Sequence, residues 1–286
     1  MSAQHDHGGQ LDAHTREVVI DASNGQAHYW SDLWQGRELL LMMIWRDVIV
    51  RYKQTKLGFA WAVARPLATM LVFTFVFSRV AHLSSGSTPY PLMVFAGLLP
   101  WLFFSSTFSD AGNSVLGNAH IISKVYFPRL LVPASSVAVG LVDFVIAFIL
   151  YLLLTVLYGH LPSWHLLVLP LYLALLCLLI FGFGLWVAAL NVHYRDFRYL
   201  VPIALQMGGY LSPIGYSSTL VKGHLAYVYD LNPMVGIIDG FRWCLLGSAF
   251  PLRLEAQLSS LLFTLLALLP GIVFFKRAET NFADAI

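Results

Sequence analysis

Long apolar runs separated by short polar turns dominate this sequence. No Asp, Glu, Lys or Arg occurs in 80–109, 144–194, 199–221 or 256–275. A helix needs about 20 mostly apolar residues to cross a bilayer, and each gap meets that length. The second gap, interrupted by Gly159, His160, Leu161 and Pro162, holds the end of one span and all of the next. Reading the runs together with turn residues predicts membrane spans over 59–80, 90–108, 130–157, 166–190, 200–216 and 258–275. The fold class is therefore all-α integral membrane, with six transmembrane helices.

Composition narrows the class further. Only 32 of 286 residues are charged, or 11%, where a soluble domain carries about 25%. Hydrophobic residues make up 58%, which excludes a disordered chain, a collagen-like fibre and an ordinary water-soluble enzyme. Residues 1–58 hold 13 of the 32 charges, so the other 228 residues share 19. A net charge of +2 without basic–aromatic blocks gives no footprint for nucleic acid. Cys177 and Cys244 form neither a metal-ligand spacing nor a disulfide framework.

Basic residues orient the spans, because cytoplasmic loops carry the excess of Lys and Arg. Arg37, Arg46, Arg51, Lys53 and Lys56 precede the first span; Lys124 and Arg129 follow the second, Arg195 and Arg198 the fourth, Lys276 and Arg277 the sixth. The other side has Arg79 and a scatter of Lys222, Arg242 and Arg253. Both termini are expected in the cytoplasm. The segment 231–246 is apolar but contains Asn232, Pro233, Asp239 and Arg242, too short and polar to cross easily. It is expected to be a re-entrant or interfacial element on the outer face.

Residues 1–30 read as a polar, disordered tail, with His5, His7 and His14 solvated rather than metal-binding, and they lack the features of a signal peptide. Residues 31–57 differ. Within them, 33–54 combine apolar residues, Trp34, Trp45 and Tyr52 with Arg37, Arg46, Arg51 and Lys53. That mixture suits an amphipathic helix lying in the headgroup layer, its bases towards lipid phosphates. Residues 58–286 form the six-span domain.

The chemistry that is missing excludes several mechanisms. No G-x-x-x-x-G-K-[ST] occurs, and none of the five lysines follows a glycine, so the chain has no P-loop for ATP. Only Asp143 falls near the middle of a predicted span, with Arg65 and Asp110 towards the cytoplasmic ends. A proton relay has little to work with. Asp143 either lines a conduit or makes a structural hydrogen bond to a neighbouring helix. Arg65, directly before Pro66, reads as a snorkelling anchor. No catalytic set or metal site is expected, and the polar cluster His193, Tyr194, Arg195, Asp196 reads as a docking surface.

Several separated motifs carry a family resemblance. Ile44-Trp45-Arg46-Asp47, Arg51-Tyr52-Lys53-Gln54-Thr55-Lys56-Leu57-Gly58, Trp61 and Arg65-Pro66-Leu67 occur in that order. Ile122-Ser123-Lys124-Val125-Tyr126-Phe127-Pro128-Arg129, Pro133 and Asn191-Val192-His193-Tyr194-Arg195-Asp196 follow, then the tail Phe275-Lys276-Arg277-Ala278-Glu279 with Phe282-Ala283-Asp284. Over residues 30–286 the chain resembles polysaccharide-exporting permeases of the type-2 ABC transporter superfamily. The resemblance points to the O-antigen and capsule exporters, with teichoic acid exporters as cousins.

That resemblance implies a homodimer in the bacterial inner membrane, paired with two copies of a separate P-loop ATPase that carries the ATP and Mg. It implies a polysaccharide substrate, in O-antigen systems linked to undecaprenyl pyrophosphate, moving between membrane lipids from the cytoplasmic to the outer leaflet. A cytoplasmic coupling helix is expected over 112–126. Ile121, Lys124, Phe127, Pro128 and Arg129, with Arg195 and Asp196, are the residues expected to meet the ATPase. An exporter of a drug or small lipid, and a membrane-embedded lipid-modifying enzyme, are the alternatives.

Physical chemistry supplies candidates for each task. A pyrophosphate at the cytoplasmic leaflet needs cations, and Arg46, Arg51, Lys53 and Lys56 lead into Leu57 and Gly58, where glycine permits close approach; the same bases also fit ordinary anionic lipid. A sliding sugar chain suits flat aromatic faces. Trp101, Phe104 and Phe108 share one helix face, as do Phe73 and Phe77; core packing or lipid contact explains the same spacing. Gly208, Gly209 and Pro213 weaken the outer end of span five, and Asn232 with Pro233 starts the next helical piece, where Asp239 and Arg242 can pair. This region is either an outer gate or a fixed cap.

Overall fold

A computed structural model describes residues 25–53, 58–160, 163–194, 196–280 and 282. Among these the secondary structure is helical, without strands. Helices α1 (Gly25–Gln35) and α2 (Arg37–Lys53) precede the first span, α3 (Gly58–Thr74), which continues as a π-helical stretch to Val80. Then come α4 (Tyr90–Gly117), the short α5 (Ala119–Ile122), α6 (Leu131–Leu157) and α7 (Leu169–His193), entered through a 3₁₀ turn at Trp164–Val168. The chain ends in α8 (Phe197–Tyr210), α9 (His224–Asp230), α10 (Pro233–Leu246) and α11 (Leu254–Glu279).

Among the described residues, five helical stretches are long and apolar enough to span a membrane: Ala60–Val80, Tyr90–Gly117, Leu131–Leu157, Trp164–His193 and Leu254–Glu279. The fifth passage differs from the expected helix over 200–216. Its helix, α8, has 14 residues, or about 21 Å at the α-helical rise, against a hydrocarbon core of about 30 Å. The passage finishes in irregular chain, where Ser212–Gly215 are buried. Pro213 explains the stop, because it has no N–H to continue the ladder and biases its predecessor away from helix.

Element α4 is the centre of the bundle, packed against α6, α7, α10 and α3. Of its most apolar window 72% is buried, against 11% for the first span. Small residues let the helices approach, as packing in lipid requires. A Cβ on Gly140 of α6 would lie 2.1 Å from the Thr107 hydroxyl oxygen of α4, and one on Gly182 of α7 would lie 2.7 Å from the Leu268 nitrogen of α11. Asn191 of α7 donates to the Gly112 carbonyl at 2.7 Å, and Trp186 to that of Ala267 at 3.0 Å. Leu153, Leu171, Leu262 and Leu266 face outward, the surface a hydrocarbon solvent would cover.

Two ends follow from this topology. The α2 end gathers α1, α2, α5, the α7–α8 turn and the last turn of α11, where the Tyr29 hydroxyl donates to Glu279 at 2.9 Å. The α10 end gathers α9, α10 and the loops around 81–89 and 158–160. Helix α1 begins at Gly25, inside the segment expected to be tail; residues 1–24 lie outside the described residues. The expected single interfacial helix is two helices, broken at Gly36, where a Cβ would lie 2.7 Å from Leu131. Along α2, Met43 is buried while Leu41, Met42, Trp45, Ile49 and Val50 are exposed, a surface suited to lipid.

Candidate functional site

At the end of α2 an ionic cluster ties three helices together. Arg51 donates to Asp110 of α4 at 2.5 Å and also to Asp143 of α6. The Tyr52 hydroxyl donates to the other Asp143 oxygen. Asp143 thus has the partners its position demands, one charged and one neutral. It also lines a cavity of about 400 Å³ between α2, α3, α4 and α6.

The cavity wall mixes aromatic and polar groups. Trp61, Phe103 and Phe144 supply aromatic rings, while Arg51, Arg65, Ser106, Asp110 and Asp143 supply polar groups. On α4 the lining residues Leu99, Leu102, Phe103, Ser106 and Asp110 share a face at helical spacing. Trp61, Phe103, Ser106 and Phe144 carry no charge and stood apart from the aromatic pairs, so sequence reasoning missed them. The available signal was two span acids, Asp110 and Asp143, in need of a cation.

The headgroup candidates separate. Arg51 is engaged by two carboxylates, and Arg46 by Asp47 at 2.8 Å and Asn118 at 2.7 Å. Lys53 is exposed at the end of α2. Gly58 opens α3, and Lys56 and Leu57 lie outside the described residues.

The aromatic candidates do form chains of rings, on another face of α4. Trp101 and Phe104 have centroids 5.7 Å apart, and Phe104 stacks on Phe108 at 5.5 Å. Phe108 continues to Phe183 of α7 at 6.5 Å. Trp101 lies over Gly208 and Gly209, where added Cβ atoms would come 3.1 and 3.2 Å from its ring. The glycine pair thus makes room for an indole. Phe73 and Phe77 are 5.7 Å apart, with Phe77 6.1 Å from Tyr216. None of these five rings lines the cavity beside Asp143.

The coupling element is shorter than expected. Helix α4 continues through Gly117, and only Ala119–Ile122 forms a separate helix. Ile121 is half-buried; Lys124 is exposed, with Tyr126 74% exposed beside it. Phe127 is buried, anchoring the turn among Met43, Leu131 and Phe275. Pro128 and Arg129 are half-buried. The Arg129 amide donates to the Glu279 carboxylate at 2.8 Å, its guanidinium to the Glu279 carbonyl, and it lies 5.8 Å from the Phe282 ring centroid. Arg129 therefore holds the chain's last helix. Asp196 is exposed beside Tyr194 and Tyr199, and Arg195 lies outside the described residues. Since α4 and α7 run parallel, joined by Asn191 and Gly112, both exposed turns emerge at the α2 end.

At the α10 end, Asp239 and Arg242 bind other partners instead of pairing. Arg242 is fully buried and donates to the carbonyls of Met93 at 3.3 Å, Ile214 at 2.8 Å and Tyr216 at 2.7 Å. The last two are the irregular end of the fifth passage, so this arginine satisfies acceptors that no helix satisfies. Asp239 accepts from Ser218 at 2.6 Å and lies 3.9 Å from Arg253, which contacts Asp230 at 2.6 Å. Burial pushes the Asp239 carboxyl upward, opposed by the Ser218 hydroxyl and the two arginines. Asn232 caps α10, accepting from the Met234 amide at 3.0 Å and donating to Ser212 at 3.1 Å. Pro233 takes the first turn of α10, where no donor is needed, and Pro213 is buried.

Known proteins resemble the chain over most of its length. It is 28% identical over 261 residues to an O-antigen export system permease protein, RfbA, of Myxococcus xanthus, covering 89% of this chain and 98% of that one. An RfbA of Klebsiella pneumoniae is 28% identical over 254 residues, covering 87% and 95%. The polysialic acid transport protein KpsM of Escherichia coli is 22% identical over 237 residues, covering 82% and 91%. Residues 38–246, which contain the ionic cluster, the cavity and the caged arginine, match the ABC-2 type transporter family. The chain is a member of that family, a multi-pass membrane protein of the ABC-2 type.

Proposed function

We propose that this chain is the permease subunit of an ATP-driven exporter of a lipid-linked polysaccharide, of O-antigen or capsule type. The observation that carries the reading is its similarity along nearly the whole length of O-antigen export permeases. Two copies would form the conduit in the bacterial inner membrane, termini in the cytoplasm, each served by a P-loop ATPase holding ATP and Mg. The basic residues clustered at the α2 end favour this orientation.

ATP hydrolysis would act on the exposed turn Lys124–Tyr126 and on the turn around Asp196, because these emerge together. Phe127 and Arg129 would pass the movement to the bundle through Glu279. Lys53 and Lys56, with Arg46, Leu57 and Gly58, would meet the pyrophosphate; the carboxylate partners of Arg51 favour a positioning role for it instead. The caged Arg242 and capped α10 favour a fixed outer element.

Deleting the gene tests the reading in cells. Surface polysaccharide should disappear while the lipid-linked polymer accumulates inside, and the intact gene should restore it. Unchanged surface polysaccharide in the deletion strain would overturn the proposal, and drug sensitivity with normal polysaccharide would point to a drug exporter.

A further inference from the structure

The cavity beside the Arg51 cluster has a composition that selects among ligands. Its volume of about 400 Å³ lies in the about 300–1,000 Å³ range of small-molecule sites. Arg51 and Arg65 balance Asp110 and Asp143, so the formal charge of its walls sums to zero. Asp110 uses one carboxylate oxygen for Arg51 and shows no further hydrogen bond from a described residue. Its side chain is 42% exposed, so an acceptor is on offer. The Ser106 hydroxyl donates to the Leu102 carbonyl at 2.8 Å and keeps lone pairs to accept. The rings of Trp61, Phe103 and Phe144 line the same cavity.

Three classes of occupant fit poorly. A pyrophosphate would face two carboxylates, with Arg51 already paired to both and Arg65 the one cation left to it among the described residues of the wall. A hydrocarbon tail would strip water from those carboxylates and return no hydrogen bond. A cation would meet Arg51 and Arg65. A neutral ring with hydroxyl groups on its edge and C–H groups on its face satisfies both kinds of group, since hydroxyls donate to carboxylates and apolar faces pack on aromatic rings.

We infer that this cavity is a binding site for a pyranose unit of the exported glycan, with Asp110 and Asp143 accepting from its hydroxyls and Trp61 packing against its face. The assignment rests on the reading of the chain as a polysaccharide permease. Arg51 and Tyr52 act here as positioning residues, fixing the Asp143 carboxylate at the rim.

Photo-crosslinking in exporting cells tests the site. p-Benzoylphenylalanine replaces Ala62, or in a second strain Ala147, both in the cavity wall; Leu266, 54% exposed on α11, is the control position. Strains that keep surface polysaccharide are irradiated, and the purified full-length permease is stained for glycan and weighed by mass spectrometry. Glycan adducts are expected at 62 and 147, above the level at 266. Adding Asp110→Asn, scored in strains that still export, should reduce them roughly ten-fold, the loss expected when a charge-assisted hydrogen bond becomes a neutral one. Adducts carrying lipid without sugar, or no excess over position 266 in strains that export, would overturn the site. Since only exporting strains are scored, that failure is separate from failure of the deletion experiment.

Discussion

Two arginines of this chain are held in opposite ways. Arg242 is completely buried and donates to three backbone carbonyls from two separate segments. Arg51 is one-third exposed and is held by side chains, Asp110 on α4 and Asp143 on α6, at the rim of a cavity. Carbonyls cannot leave without unwinding the chain that carries them, whereas carboxylates change partner by rotating a side chain. The α10 end is thus built as a scaffold, and the α2 end holds charges that a ligand can share.

The contrast predicts a graded series of effects. Arg242→Leu leaves buried carbonyls without a donor and should cost about 3–5 kcal/mol, the range for breaking a buried polar cluster. Little monodisperse protein should survive size-exclusion chromatography, and a normal melting temperature would break the comparison at its strongest point. Gly97→Ala attacks the same cage indirectly, because its Cβ would lie 2.9 Å from the Arg242 guanidinium and 3.1 Å from the Ile214 carbonyl. An overpacking loss of about 1–3 kcal/mol is expected, readable as a lower melting temperature of the purified protein.

Changes at the α2 end should behave differently. Asp143→Asn leaves Arg51 its bond to Asp110 in a partly exposed setting, so stability should fall by about 1 kcal/mol or less. Surface polysaccharide per assembled permease should nevertheless drop strongly; thermal loss as severe as that of Arg242→Leu would erase the distinction. The smallest stability effect belongs to Lys124→Glu, an exposed site where substitutions stay within about 0.5 kcal/mol. Its expected consequence is reduced recovery of the ATPase in pull-downs, and undiminished recovery would remove Lys124 from the docking surface.

Much of this architecture was legible because lipid imposes a simple rule on span length and charge. Five of the six spans follow from apolar runs read together with the turn residues between them, and α6 starts one residue from its predicted position. The fifth, over 200–216, escaped because Pro213 stops its helix and the burial of its irregular end depends on Arg242, a contact from another part of the chain. The Arg51–Asp143 pair escaped for a similar reason: hydropathy places each residue along the sequence, yet their meeting requires α2 to lie across α6. Within α10 the three-residue spacing suggested an Asp239–Arg242 pair, and local spacing lost to the backbone acceptors nearby. Glu279 was visible as the acid in a basic tail, but its link to Arg129 joins residues 150 positions apart.

Transport by the purified protein tests the central claim most directly. The full-length chain is reconstituted with its ATPase in proteoliposomes containing lipid-linked polysaccharide, and glycan accessibility is followed with a membrane-impermeant glycosidase. ATP should move the glycan across the bilayer, with hydrolysis stimulated by the lipid-linked polymer. A fully assembled complex that hydrolyses ATP but leaves the glycan on its original side would contradict the account.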